Sequence, residues 1–240
     1  MTVITTKAIV LSSIKYSDTS LIVKCYTEQE GLKSYIIKGV LKPKKGGIKA
    51  AYFQPLTQLT LVANHSSKSS LHTLKEVQIL NPYKTIYRDI VKQSVVLFLS
   101  EVFSSSIQEE EKNIAFYKYL EAGLIWLDVH DKIANFHLLF LLNAARFLGF
   151  YPDTAETTLF GFDLLNGSFS ASTANKNVIS GNEFYQFKKL LGINFDSIEE
   201  VSFSKNERQL VLQIIIRYFE LHLDGFRKPR SLQILETVFN

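Results

Sequence analysis

Lysine side chains crowd residues 38–49, a stretch in which Pro43, Gly46 and Gly47 disfavour both helix and strand. The lysines are Lys38, Lys42, Lys44, Lys45 and Lys49. Because like charges this close repel each other in water, the segment favours a polyanionic partner, and each lysine that neutralises a phosphate also releases condensed counterions. The spacing therefore predicts a contact with a nucleic-acid backbone. The alternative is a solvated, lysine-rich turn.

The net charge of +4 hides an asymmetry along the chain. Residues 1–80 contain 11 Lys and Arg residues against 4 Asp and Glu, a balance of +7, whereas residues 81–240 contain 16 against 19, a balance of −3. All 11 basic residues of the first segment are lysines, which are flexible point charges and read base edges poorly. We therefore expect contacts with a nucleic-acid backbone and no readout of base sequence.

Six further residues of the N-terminal third could extend such a surface. Four of them add point charges, although an isolated lysine is more often an ordinary surface residue: Lys7, Lys15, Lys24 and Lys33. Tyr35 and Tyr52 could stack on bases, an interaction that tolerates any sequence. An aromatic side chain in a strand is more often part of a core, and both interpretations are open at this stage.

A second set of basic residues lies near the C-terminal end of the chain. It consists of Arg217, Arg227, Lys228 and Arg230, together with Arg146 at the end of the most apolar predicted helix. Such side chains beside an apolar groove could bind the carboxylates of an acidic peptide tail. Pairing with carboxylates of the protein's own surface is the alternative for each of them.

The sequence argues against an enzyme and against a bound metal. It contains neither a Gly-x-x-x-x-Gly-Lys-Ser/Thr motif nor a Gly-x-Gly-x-x-Gly motif, and its five histidines show no metal-ligand spacing. The single cysteine, Cys25, lies in an apolar strand and excludes a thiolate zinc site within one chain. We predict no catalytic residues and no cofactor. A nuclease is disfavoured because we see no acidic cluster suited to magnesium.

Composition indicates a globular protein, with 46% hydrophobic and 21% charged residues. Residues 1–12 lack the pattern of a signal peptide, and the most apolar stretch, 136–145, is too short to span a bilayer. We therefore expect a cytoplasmic protein.

The pattern of residues 1–80 predicts five short strands, at 7–14, 19–26, 32–39, 53–62 and 71–80. Turn residues separate them at regular spacing, which is typical of a small closed barrel. A five-stranded barrel of this size is compatible with the OB architecture, whose strands and loops commonly bind single-stranded nucleic acid.

Residues 81–240 are predicted to be mainly helical. Apolar residues at helical spacing predict six helices. The first covers 86–105, the second begins at the acidic residues 109–111, and the third, at 133–148, is the central buried helix. The other three cover 181–192, 205–223 and 231–239. A hairpin is expected at 159–171, with Asn166-Gly167 as a turn that needs positive φ at both residues. The fold class is therefore α+β, with an OB-type domain at 1–80 and a helical domain at 81–240.

Three sequence features together resemble the RecO family of bacterial recombination mediators. The first is Tyr16-Ser17-Asp18-Thr19-Ser20-Leu21, after the first strand. The second is Thr27-Glu28-Gln29-Glu30-Gly31, followed by Lys38-Gly39 and the lysine-rich segment. The third is Arg217-Tyr218, His222 and the basic turn 227–231 before the last helix. The resemblance spans most of the chain, and the order of the three features is more specific than any one of them.

The resemblance implies a non-enzymatic DNA-binding protein of repair and recombination. It implies an N-terminal OB-fold, binding to single- and double-stranded DNA and annealing of complementary strands. It also implies help in loading recombinase RecA onto strands coated with single-stranded DNA-binding protein. The implied partners are RecR and the acidic C-terminal tail of that coating protein, in the cytoplasm and at the nucleoid during repair.

The chain departs from the family at residues 153–174. Many members have a cysteine-rich zinc motif there, whereas this segment contains no cysteine. We predict that no zinc is bound, and that Phe160, Phe162 and Leu164 pack the segment in its place. The alternative to the mediator function is a protein-binding scaffold whose basic segment binds an acidic protein partner.

Overall fold

The computed structural model describes residues 2–42, 47–66, 69–108, 110–155 and 159–239. The chain divides into two compact units, Met1–Val129 and His130–Asn240. Among the described residues, no helix is long and apolar enough to cross a membrane.

A closed five-stranded barrel with the strand order β1-β2-β3-β5-β4 forms the N-terminal part of the first unit. The strands are β1 (Thr2–Lys15), β2 (Leu21–Thr27), β3 (Gly31–Ile37), β4 (Gln58–His65) and β5 (Leu71–Ile79). All neighbouring pairs are antiparallel except β3 and β5, which pair in parallel over Ser34–Ile36. The predicted OB-type barrel is therefore confirmed.

The first strand pairs with two neighbours because it changes partner along its length. Residues 2–9 of β1 pair with β4, and residues 8–15 pair with β2. One additional residue, Leu11, lies between the pairs Val10–Cys25 and Ser12–Lys24, which makes a β-bulge. A bulge bends its strand and increases the local twist, so it allows a single strand to close a small barrel.

The barrel interior follows the period-two pattern of its strands, so alternate residues face inward. Its buried cluster includes Ala8 and Val10 of β1, Val23 and Cys25 of β2, and Tyr35 of β3. Ile9 and Leu11 are also buried, although they lie outside this cluster, and α1 packs against β1. The continuous apolar run 8–11 thus reflects a strand that is covered on both faces.

The predicted strand at 53–62 begins too early. A 3-10 helix occupies Ala50–Phe53, and β4 begins only at Gln58. Leu56 lies between them with a φ of 55° and hydrogen-bonds to the Val10 carbonyl through its backbone N–H at 2.8 Å. Phe53 and Leu56 are both buried, and Phe53 belongs to the buried cluster of the barrel, so these apolar residues are buried from an irregular segment and not from a strand.

Two helices complete the first unit, α1 (Ile90–Ser106) and α2 (Ile114–Val129). The carboxylate of Asp128 at the end of α2 accepts the backbone N–H groups of Lys84, Thr85 and Ile86 at 2.8, 2.8 and 3.0 Å. Burial alone would raise the pKa of Asp128, but these hydrogen bonds outweigh it and lower the pKa. The connection from the barrel to α1 is therefore fixed by a carboxylate.

Helix α2 does not begin at the acidic residues 109–111. Glu109 lies outside the described residues, Glu110 and Glu111 precede the helix, and α2 begins at Ile114. The Asn113 side chain accepts the backbone N–H of Phe116 at 2.9 Å, which is the hydrogen bond of an N-terminal cap.

The second unit is mainly helical and has its most buried residues in α3 (Phe136–Ala144). Its other helices are α4 (Gly181–Lys188), α5 (Lys205–His222) and α6 (Leu232–Val238). The helix predicted at 133–148 is thus shorter, and the chain passes through turns to Gly149, which has a φ of 86°. Helix α5 confirms the prediction for 205–223 and begins with a capping box between Ser204 and Glu207.

The predicted hairpin is part of a three-stranded sheet with the order β7-β6-β8. Its strands are β6 (Gly161–Asp163), β7 (Ser168–Ser170) and β8 (Val178–Ser180). The predicted two-residue turn is wrong. Such a turn needs positive φ at both Asn166 and Gly167, and only Gly167 has it, at 65°. Asp163 instead organises a longer turn by accepting the N–H groups of Leu165 and Asn166 at 2.8 and 3.2 Å.

The last strand of the first unit, β5, ends at Ile79, one residue before the predicted domain boundary at 80. Helices α1 and α2 nevertheless belong to the same compact unit as the barrel. The assignment of 1–80 and 81–240 as domains stays a prediction.

Two glycines with similar φ offer a matched test of backbone packing in the barrel. Gly31 has a φ of 63°, and a Cβ placed on it would lie 2.6 Å from the carbonyl oxygen of Glu110 and close to that of Glu111. Gly39 has a φ of 73°, but no heavy atom of the described residues would lie within 4 Å of its Cβ.

We expect Gly31→Ala to lower the free energy of unfolding by about 3 kcal/mol or more, because backbone atoms must move in addition to the strain of positive φ. Gly39→Ala should cost about 1 kcal/mol, since it meets only the strain. Urea denaturation of both variants measures the difference. Equal losses would show that the contact with residues 110 and 111 is absent in solution.

Candidate nucleic-acid interface and basic surface of the helical unit

One end of the barrel brings together the two segments that flank β2. Across three strands, Lys15 pairs with Leu21, and Leu21 pairs with Ile37. The β1–β2 loop and the lysine-rich segment after β3 therefore leave the barrel at the same end. The backbone N–H of Leu41 also donates to the carbonyl of Thr19 at 3.1 Å, so the two segments are in direct contact.

The lysines at this end are exposed where the structure describes them. Lys38 and Lys42, next to the contact with Thr19, have exposed side chains, and Lys49, farther along the chain, is also exposed. The side chain of Lys15 is 65% exposed, and its Nζ lies 3.5 Å from the carboxylate of Asp18, which is itself 92% exposed. An ion pair this exposed contributes little to stability and exchanges readily with other charges. Lys44 and Lys45 lie outside the described residues.

Lys33 is not brought together with these lysines. It lies four residues before the end of β3, or about 13 Å along the strand from Ile37. Its side chain is 12% exposed, and its Nζ pairs with Glu110 at 3.1 Å. Its charge is therefore already balanced by a carboxylate, and Lys33 does not belong to the candidate interface.

Lys33 instead lines a cleft at the other end of the barrel, together with Glu30, His65 and His72. The two imidazole rings stack with centroids 4.2 Å apart. Burial is the main cause that lowers the pKa of both histidines, and the proximity of Lys33 lowers both further. The cleft also contains Glu30 and Glu110, so it offers no uniform positive charge to a phosphate.

The expectation that Tyr35 stacks on a base is wrong, because its ring lies inside the barrel. Its exposed fraction is 1%, and its hydroxyl lies 3.1 Å from Nε2 of His65. Burial raises the pKa of the Tyr35 hydroxyl, which is thus neutral. Tyr52 is partly buried and packs against the barrel cluster. Both rings belong to the core, as the alternative interpretation held.

Two exposed apolar side chains at the lysine end of the barrel were not predicted from the sequence to be interface residues. Ile14 is 59% exposed and Tyr16 is 62% exposed. Their signal in the sequence is an aromatic residue directly before the turn residues Ser17 and Asp18.

The basic residues of the helical unit differ in how far they are already engaged. Arg217 on α5 donates to the carbonyl of Lys176 at 2.8 Å and to Oδ1 of Asn177 at 3.1 Å. The guanidinium of Arg146 lies over the Tyr151 ring at 3.9 Å from its centroid, a cation–π contact. Both guanidinium groups remain on exposed residues, so they retain donors that face solvent.

The turn before α6 adds three exposed basic residues, Arg227, Lys228 and Arg230. The Nζ of Lys228 lies 3.5 Å from Oε1 of Gln213 on α5. Gln213 and Arg217 are four residues apart and therefore share one face of α5. Lys228 and Arg217 are thus brought to the same exposed helix face.

Arg208 is a further basic residue of α5, and its role is structural. Its guanidinium donates to Oδ1 of Asn135 at 3.2 Å and to the carbonyl of Phe203 at 3.1 Å. It also lies over the Phe239 ring, which stacks on the fully buried His137 with centroids 5.1 Å apart. Burial, and then the charge of Arg208, lowers the pKa of His137 to about 3.

The cysteine-free segment at 153–174 folds around apolar side chains. Phe162 and Leu164 are fully buried, whereas Phe160 is 77% exposed and does not pack as predicted. Among the described residues, no three His, Cys, Asp or Glu side chains are arranged to hold a metal ion. The segment has neither cysteine nor histidine, and its Asp163 carboxylate is engaged in the turn, so its residues do not fit a thiolate zinc site.

Family models match nearly the whole chain. The N-terminal model of Recombination protein O matches residues 1–83, and the C-terminal model matches residues 87–232. The chain belongs to the RecO family.

Several proteins named DNA repair protein RecO are similar to this chain over 98–99% of both lengths. The protein from Flavobacterium psychrophilum is 47% identical, that from Flavobacterium johnsoniae is 46% identical, and that from Christiangramia forsetii is 43% identical. Membership in the RecO family supports a role in DNA repair and recombination.

His137 should make the stability of the helical unit depend on pH. Its pKa in the native state is about 3, compared with an ordinary value of 6.5, so between these values the unfolded chain binds a proton that the native protein does not. Stability is therefore lost as the pH falls from 6.5 toward 3, by up to about 1.4 kcal/mol per pH unit. Because other groups titrate in the same range, the test is a difference between variants.

We expect His137→Phe to show a smaller slope of unfolding free energy against pH below 6.5 than the native protein. Urea denaturation at intervals from pH 4 to pH 7 measures these slopes. Identical slopes for His137→Phe and the native protein would contradict the burial of a neutral imidazole.

Proposed function

We propose that this chain is a non-enzymatic recombination mediator that binds single- and double-stranded DNA through the lysine end of its barrel. We also propose that it anneals complementary strands and assists loading of recombinase RecA onto strands coated with single-stranded DNA-binding protein. The observation that supports this most is the position of Lys38 and Lys42, which are exposed next to the contact between Leu41 and the β1–β2 loop of an OB-type barrel. Lys49 is exposed farther along the same lysine-rich segment.

The chemistry of lysine supports annealing as well as binding. An ammonium group contacts phosphates without engaging base edges, so the edges of a bound strand remain available for pairing with its complement. Neutralised phosphates also reduce the repulsion between two strands that approach each other. Neither step needs a catalytic side chain.

Replacing Lys38, Lys42 and Lys49 together by alanine tests the DNA interface. For single-stranded DNA, the slope of log affinity against log salt should become shallower by about 2, because each phosphate contact contributes roughly 0.7. Fluorescence anisotropy of a labelled oligonucleotide over a salt series measures the slope. Lys75, Lys112 and Lys118 are exposed lysines of the same unit, and replacing these three by alanine is the matched control.

The control variant should keep most of the native salt slope although it has the same net charge as the test variant. Equal slopes for the test variant and the native protein would show that the phosphates bind elsewhere. A native protein that binds no DNA at low salt would contradict the proposed function and favour the scaffold alternative.

We propose that the helical unit binds the acidic C-terminal tail of single-stranded DNA-binding protein through basic residues around α5 and the turn before α6. These are Arg217, Arg227, Lys228 and Arg230, with Arg146 as a further candidate. Charge complementarity supports this proposal, because guanidinium groups bind carboxylates with paired hydrogen bonds. RecR is proposed as a second protein partner, with no surface assigned to it.

Lys228→Ala with Arg230→Ala should weaken binding of a labelled acidic tail peptide by ~5-fold or more, since two charge-assisted contacts are lost. These two positions are preferable to Arg217, whose hydrogen bonds to residues 176 and 177 would also be lost. Arg88→Ala with Lys84→Ala removes two exposed charges from the other unit and should leave the peptide affinity unchanged. Equal weakening by both pairs would indicate a general charge effect.

A further inference from the structure

Tyr16 is an aromatic residue that the barrel leaves outside its core. Its side chain is 62% exposed, whereas Tyr26 and Tyr35 of the same barrel are 2% and 1% exposed. Ile14, two residues earlier, is 59% exposed. Neighbouring exposed apolar side chains of this size are a feature of binding surfaces.

The backbone that presents Tyr16 is held in place. Its N–H donates to the carbonyl of Ser20 at 3.0 Å, and the N–H of Ser17 donates to the same carbonyl at 3.4 Å. The β1–β2 loop is therefore closed by its own hydrogen bonds and does not depend on a ligand for its shape. With the backbone held in this way, only the two side-chain torsions of Tyr16 lose freedom when a ligand packs on its ring.

The backbone positions of two lysines at this end lie close to that of Tyr16. Tyr16 follows Lys15, and Lys38 follows Ile37, which lies in the same row across the sheet as Lys15. Lys15 and Ile37 lie on either side of β2, two strand spacings of ~4.8 Å apart, so their Cα atoms are separated by about 10 Å. The opposing charge in the loop is Asp18, which lies 3.5 Å from Lys15.

This combination of an exposed aromatic ring and flanking ammonium groups is the chemistry that binds single-stranded nucleic acid. A nucleobase offers a flat π-face to the ring, and its phosphates can pair with lysines on either side. In a duplex the base faces are already stacked on each other, so the ring has no face to contact. An acidic protein partner would supply charge but no regular π-face.

We infer that Tyr16, with Ile14 beside it, is a stacking platform for a base of single-stranded DNA at the lysine end of the barrel. The inference rests on the proposed DNA-binding function and adds to it a preference for unpaired bases. Tyr16 supplies the aromatic face, Ile14 extends its apolar surface, and Lys15, Lys38, Lys42 and Lys49 bind the adjoining phosphates.

The test compares three labelled DNA ligands of equal length: a single strand, an abasic single strand with the same phosphates, and a duplex. We expect the native protein to bind the base-bearing strand more tightly than the abasic strand by ~5-fold to 100-fold. Tyr16→Ala should lose this preference and bind the abasic strand and the duplex as the native protein does. Tyr16→Phe should keep it, because stacking needs the ring and not the hydroxyl.

Tyr185→Ala is the matched control, because Tyr185 is also 62% exposed but belongs to the helical unit. It should leave all three affinities unchanged. Replacement of Lys38, Lys42 and Lys49 by alanine should instead weaken binding to all three ligands.

The outcomes separate this inference from the proposed function. Equal native affinity for base-bearing and abasic strands, with binding retained, overturns the stacking platform and leaves the DNA-binding proposal intact. A Tyr16→Ala variant that binds all three ligands as the native protein does, or that weakens all three equally, also overturns it. A native protein that binds none of the ligands at low salt overturns both.

Discussion

The bent pairing of β1 is the constraint on which the rest of the first unit depends. Because the bulge at Leu11 lets one strand pair with β4 over residues 2–9 and with β2 over residues 8–15, a barrel closes around five strands. Beyond the bulge, the antiparallel pairing of β1, β2 and β3 places Lys15 opposite Leu21 and Leu21 opposite Ile37, so the β1–β2 loop lies at the same end of the barrel as the end of β3.

The lysines of the barrel differ in whether their ammonium group contacts another residue of the protein. Lys33 is nearly covered and pairs with Glu110, Lys7 pairs with Glu121 at 3.3 Å, and Lys24 donates to the carbonyl of Ser104 at 2.7 Å. These contacts attach the strands to α1, α2 and the segment before α2. Lys38 and Lys42, in contrast, are exposed where β3 has ended. Lys7, Lys24 and Lys33 are thus engaged by other residues of the protein, whereas Lys38 and Lys42 face solvent at one end of the barrel.

The sequence predicted the barrel and the exposed lysines because both depend on local signals, namely period-two alternation and turn residues. It misjudged Tyr35 because apolar residues occur on both faces of β3, so alternation alone does not say which face is internal. Lys33 shares the face of Tyr35, and its partner Glu110 lies 77 residues away, beyond the reach of any local pattern. The prediction of a strand from residue 53 was wrong for a related reason. Phe53 and Leu56 are buried in a segment that contacts β1 outside the hydrogen-bonded pairing of β4 with β1.

Stacking and annealing are compatible because they use different parts of a base. A ring such as Tyr16 contacts the π-face, which leaves the Watson–Crick edge free to meet a complement, and it is sequence-tolerant for the same reason. A single platform per barrel engages one base at a time, whereas pairing gains stacking energy from every step of the new duplex. Duplex formation would therefore displace the base from the ring and leave only phosphate contacts. On the proposed function, an interface built from Tyr16 and solvent-facing lysines would hold an unpaired strand through both base and phosphate contacts and would release its bases as they pair.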